Sequence, residues 1–111
     1  MALVSLGKIT VSAAGTPVQF TATKNTNANA VYIQYPFTGN TGPQVYIGAL
    51  GLVKASLVGV WRVLTKQAAA TAVFDQFNPQ SNVSAAPFDL STFYVDADAS
   101  SDFILVSYLV L

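Results

Sequence analysis

The last nine residues of the chain, Phe103-Ile-Leu-Val-Ser-Tyr-Leu-Val-Leu111, constrain its fold more than any other stretch. Alternation places Phe103, Leu105, Leu109 and Leu111 on one face of a strand, and Ile104, Val106, Tyr108 and Val110 on the other. Both faces are apolar, interrupted mainly by Ser107, so the strand expects cover on two sides. A small sheet with one solvated face is not written this way. Upstream, Thr92–Val95 reads as a second strand and Asp96–Asp102 as an acidic turn. The expectation is therefore a closing β-hairpin whose outer face is covered by another part of the chain or by another copy of it.

The remaining segments extend the β pattern. Leu3–Val11 mixes two apolar sets, Leu3, Ile9 and Val11 against Val4 and Leu6. Val18, Phe20 and Ala22 alternate with polar residues as a half-buried strand, followed by the polar loop Lys24–Asn29. Ala30–Tyr35 ends at Pro36, and Thr38-Gly-Asn-Thr-Gly-Pro43 is a cluster of turn formers. Gln44–Gly48 is a short strand, Ala49–Leu57 reads as irregular, and Val58–Leu64 is a strand again. Thr65–Ala72 has helix-forming composition but is too short to be stable alone. It reads as a single turn or an ordered loop. Val73–Phe77 is a further short strand, and Asn78–Asn82 and Ala85–Pro87 are loop. Seven or eight short antiparallel strands with turn signals between them predict an all-β single domain over residues 1–111, a small β-sandwich or jelly-roll-like barrel.

The residue inventory narrows the chemistry. The 111 residues contain neither cysteine nor histidine, which removes thiol nucleophiles, thiolate metal sites and the commonest general base. Glutamate is also absent. The acids are Asp75, Asp89, Asp96, Asp98 and Asp102, balanced by Lys8, Lys24, Lys54, Arg62 and Lys66. No basic patch suited to nucleic acid is present. Charged residues are 9% of the chain, against about 25% in ordinary soluble domains, which points to surface buried against other subunits. The longest uninterrupted apolar run is far short of the about 20 residues of a spanning helix, so no membrane is expected. The N-terminus does not read as a signal peptide.

Asp96, Asp98 and Asp102 stand at alternate positions with Ser100, a spacing that offers oxygen ligands to calcium. Ser101 and Ser107 stand where a calcium loop wants Gly and Glu, and a solvated hairpin turn explains the acids equally well. Paired carboxylates also raise glycoside hydrolysis, but no Glu is there to act as the acid. A Ser56 nucleophile with Lys54 as base lacks any recognisable elbow. Trp61, Tyr32, Tyr35, Tyr46, Tyr94 and Tyr108 offer a stacking or interface face, with core packing the plainer reading. The expected catalytic, cofactor and metal sets are empty.

Three blocks carry a family resemblance: Asn40–Gly48, Gly51–Leu64, and Phe88–Asp98 leading into Val106-Ser-Tyr108. Together they resemble small structural proteins of tailed bacteriophages, some of which serve as capsid cement or decoration proteins. Ser100-Ser101 stands where that family usually has Gly in the acidic turn. The resemblance implies a jelly-roll-like sandwich that trimerises on the outer surface of the virion capsid, over junctions of the major capsid protein, and is made in the host cytoplasm. A tail-associated or receptor- or glycan-binding module is the alternative. Subunit-interface candidates are Leu3, Leu6, Trp61, Arg62, Tyr108, Leu109 and Leu111, on or near the terminal strands and the Trp-Arg pair.

Overall fold

The computed structural model describes residues 2–66, 75–77 and 87–110, with 75–77 described by backbone alone. It is all-β. The strands are β1 (Ala2–Thr10), β2 (Val18–Gln19), β3 (Asn27–Ala28), β4 (Ala30–Gln34), β5 (Gln44–Val53), β6 (Val58–Thr65), β7 (Asp75–Phe77), β8 (Phe88–Asp89), β9 (Tyr94–Ala97) and β10 (Phe103–Val110). A short 3₁₀ turn, Leu90–Thr92, separates β8 from β9. The helix-forming stretch up to Ala72 falls largely outside the described residues, as do the loops at 78–86.

Two four-stranded antiparallel sheets form the sandwich, the first ordered β1-β10-β4-β7 and the second β2-β9-β5-β6. A two-stranded ribbon joins β3 to β8. The pairs β1–β10, β2–β9, β3–β8, β4–β7 and β5–β6 nest inside one another. The chain is thus one long antiparallel ribbon, folded about the β5–β6 tip. It is rolled until β10 meets β4 and β9 meets β5. This is jelly-roll wiring.

The wiring corrects the C-terminal hairpin. β9 lies in the second sheet and β10 in the first, so residues 98–102 cross between sheets and are not a hairpin turn. The physical reason is long-range: Asp102 is 1% exposed and its carboxylate binds the amides of the distant Thr41–Gly42 loop, which holds the segment in the interior.

One core joins the two sheets, with Ile9, Val11, Ile33, Tyr35, Ile104 and Val106 from the first and Val45, Ile47, Leu64 and Val95 from the second. Phe20, Leu90 and Phe93 close one end. The mixed pattern of β1 has a definite cause. Between Ser5 and Gly7 the register with β10 slips by one residue, and Gly7 has φ +97°. This bulge resets the alternation, so Leu6 and Ile9 both face the core while Leu3 faces out. Two further expectations shift. The strand at Val18 is only two residues long, and β5 runs on to Val53 where only irregular chain was expected, although residues 49–52 have no ladder partner on β6.

Candidate interaction surfaces

At one end of the sandwich three loops meet on the buried Asp102. Its Oδ1 accepts from the Thr41 amide at 2.9 Å and its Oδ2 from the Gly42 amide at 2.8 Å. The Tyr35 hydroxyl lies 2.6 Å from Oδ2 and 2.7 Å from the Gly42 carbonyl. Its single proton goes to the carboxylate, the stronger acceptor. Burial alone would raise the Asp102 pKa, but the bonds from Tyr35, Thr41 and Gly42 together hold it below the usual carboxylate value. Burial, then the bond to Asp102, pushes the Tyr35 phenol well above its ordinary value.

Asp96, Asp89 and Asp98 are also bonded within the chain. Asp96, 1% exposed, accepts from the Gly15 and Ala97 amides at 2.9 and 2.8 Å. Asp89 gathers the amides of Asn25, Thr26 and Ser91, and those bonds from Ser91 and Asn25 lower its pKa. Asp98 accepts from the Tyr46 hydroxyl at 2.9 Å and stands 4.0 Å from Lys54 Nζ. The spacing that offered calcium ligands therefore does not converge: Asp96, Asp98 and Asp102 serve three different sets of donors. Among the described residues no three metal-ligating side chains come together. Lys54, the base considered for Ser56, donates to the Ala97 carbonyl at 2.7 Å.

Apolar side chains, by contrast, are left outside: Phe37, Trp61 and Val63 are 48, 45 and 38% exposed, and two further places each gather several such residues. The first is the β5–β6 tip. Leu50, Val53, Leu57 and Val58 are 78, 47, 54 and 62% exposed. The register jumps from Gly48↔Val60 to Val53↔Val58, so residues 49–52 loop out of the ladder. Gly51 and Gly59 have positive φ, and so does Leu57, at +61°. A side chain on Gly48 would run into the Gly59 carbonyl, so the two strands approach here only because Gly48 lacks one. Tyr46 lies between the core residues Val45 and Ile47, which puts it on the outer side of the second sheet. Lys54 reaches Ala97 and Asp98 beside it, so the tip is bent back over that side and fixed there. Leu52, 4% exposed, is buried by the same fold-back.

The second place is the outer face of the first sheet, where Leu3 pairs Leu109 and Lys8 pairs Leu105. Leu3 and Leu105 are 67 and 38% exposed. The β1 bulge opens a shallow depression of about 270 Å³ between them, lined by Ser5, Gly7, Gln34, Leu105, Val106 and Ser107. Nothing in the described chain covers this face, which is the face the apolar alternation of β10 expects to be covered.

The interface candidates divide accordingly. Leu3 and Leu109 stand on the open face, Leu109 half-buried. Leu6 and Tyr108, both half-buried, pack against the core, the first because of the β1 bulge and the second by its inward parity. Trp61 sets its ring edge-on against Phe93, centroids 4.9 Å apart, while 45% of it stays exposed. Arg62 is exposed on β6, and Leu111 lies outside the described residues. The tip residues Leu50, Val53, Leu57 and Val58 were not candidates. Their only signal in sequence was apolar residues beside Gly51 and Gly59, which reads equally as an irregular buried segment. Comparison of the chain with protein-family models, curated proteins and solved structures finds no match.

Proposed function

We propose that the protein is a non-enzymatic structural protein of a tailed-bacteriophage virion, a cement or decoration protein. On this reading it is made in the host cytoplasm and binds the outer surface of the head. There it lies across junctions of major capsid protein subunits, as a homotrimer. The observation that carries the proposal is the inverted use of side chains: Asp96 and Asp102 are consumed inside as loop staples while leucines and valines stand outside on two surfaces. Such a protein offers its neighbours neutral, apolar, rigidly held contacts. Each fully buried Leu or Val contributes about 1.5–3 kcal/mol, so a few per neighbour hold a subunit in place. The sequence resemblance of Asn40–Gly48, Gly51–Leu64 and Phe88–Asp98 to phage structural proteins supports the same reading.

The test is cosedimentation with expanded, empty heads of the encoding phage, run beside free major capsid protein. Saturable binding to heads without binding to free subunits is the expected result. Binding to neither, with labelled protein found on tails or on host glycans, would replace this reading with the tail-module alternative.

A further inference from the structure

The outer face of the first sheet carries leucines, but a row of hydroxyls crosses its middle. Ser5 on β1, Ser107 on β10 and Tyr32 on β4 are cross-strand partners, Ser5 opposite Ser107 and Ser107 opposite Tyr32. Their neighbours Leu6, Val31, Ile33, Val106 and Tyr108 pack on the core, so the three point outward. The row thus spans three strands, each about 4.8 Å from the next. Among the described residues, none of these three hydroxyls has a hydrogen-bond partner within the chain. The loop hydroxyls of Thr26, Tyr46, Thr92 and Ser100, by contrast, all bind within it.

The row borders the depression of about 270 Å³ that the β1 bulge leaves. Beside Gly7 the hollow is open, since a Cβ added there would meet nothing within 4 Å. Ser5 and Ser107 line it together with Gln34, and Leu105, 38% exposed, gives it an apolar wall. No charged side chain lines it: Lys8, opposite Leu105, sets its ammonium over the Phe103 ring at 4.3 Å.

We infer that this depression binds a neutral saccharide, one pyranose ring at a time. Each protein hydroxyl both donates and accepts, which matches the hydroxyls of a sugar. Leu105 takes the C–H face of the ring, and Tyr32 adds an aromatic side chain at the end of the row. An anion would need a cation in the hollow, and there is none. An added peptide strand would need free backbone groups, and β10 spends its own on β1 and β4. The volume falls just below the about 300–1,000 Å³ of drug-sized sites, which suits a single ring. A site this shallow binds in the millimolar range. The inference goes beyond the proposed function and is tested without heads. In a head-bound subunit it turns this face to solution and leaves the β5–β6 tip to the shell.

The experiment is an NMR titration of backbone amides with glucose, galactose, mannose and N-acetylglucosamine, each run beside glycerol and acetate. At least one sugar should give saturable shifts confined to the amides around Ser5, Gly7, Gln34, Leu105 and Ser107. Ser107→Ala and Tyr32→Phe should each weaken that binding at least threefold, and the tip variant Leu50→Ser should leave it unchanged. Neither hydroxyl has an internal partner, so the variants should keep the wild-type spectrum elsewhere; if Tyr32→Phe does not, Ser107→Ala decides alone. No saturable shift from any of the four sugars overturns the inference. So do equal shifts from glycerol or acetate, and so does binding that Ser107→Ala leaves intact. Head binding without sugar binding overturns it and leaves the proposed function standing. Sugar binding without head binding does the reverse.

Discussion

The loop end around Asp102 and the tip of β5–β6 treat polarity in opposite ways. At the loop end a charge is buried and every donor around it is used, so segments distant in sequence, at residues 11, 35, 41 and 102, become one rigid unit. At the tip the backbone is fixed just as firmly, by Lys54, Leu52 and the Gly48–Gly59 approach, yet the side chains it holds are apolar and face water. Both ends are rigid, but only one gains its rigidity from what it displays. The difference separates stability from display: breaking the first region should unfold the protein, and changing the second should alter only what it touches.

The largest effect should come from Asp102→Ala. It leaves the Thr41 and Gly42 amides without their acceptor, while the Tyr35 hydroxyl turns to the Gly42 carbonyl, a loss of about 3–5 kcal/mol measurable by urea unfolding. Next is Gly42→Ala, whose new Cβ would lie 2.9 Å from Asp102 Oδ2 and 3.0 Å from Ala99. About 1–3 kcal/mol should be lost, with the steepness of the transition unchanged. If Gly42→Ala proves harmless, the loop end is softer than its hydrogen bonds imply.

The pH dependence sharpens the same point. Asp102 has a native pKa below its unfolded value, so its contribution is complete above about pH 4 and is lost as pH falls through the native value. Tyr35 has a native pKa above its unfolded value of about 10, so its contribution is complete below that pH and is lost as pH rises. Melting temperature against pH should show a plateau bounded on both sides. Asp102→Asn should flatten the acid limb and Tyr35→Phe the alkaline one.

The smallest effects on stability should come from the tip. Leu57→Gly relieves the left-handed strain of a branched residue and adds unfolded-state freedom, two terms of about 1 kcal/mol with opposite sign. Stability should change by less than about 1 kcal/mol, while binding to heads measured by cosedimentation falls. If instead Leu57→Gly destabilises as much as Gly42→Ala, the tip belongs to the core of the fold and the contrast drawn between the two regions fails.

How much of this was legible in the sequence depends on how local the information was. Period-two alternation in Ala30–Tyr35 and Phe103–Leu111, with Pro36 and the Thr38–Pro43 cluster between strands, is local and was read correctly as β. The double apolar face of β10 predicts cover on both sides; in the described chain the core side is covered, while Leu3 and Leu105 on the outer side stand exposed. The acidic segment misled because carboxylates at a turn look the same whether they meet water, calcium or amides from a distant loop. Only the tertiary structure brings Thr41 and Gly42 to Asp102, 60 and 61 residues away. The bulge at Leu6 was equally hidden, since a single Gly in a strand does not say which way the register slips.

By itself, then, the sequence determined the β class and the places of the strongly alternating strands, the low charge and the absence of histidine, cysteine and glutamate, because these depend on residue type and nearest neighbours. The tertiary structure decided which strands pair, which acids are buried and which leucines stay outside. Those outcomes follow from rolling a nested ribbon, in which each strand's partner is chosen by the whole fold and a side chain's burial by which sheet it finally faces.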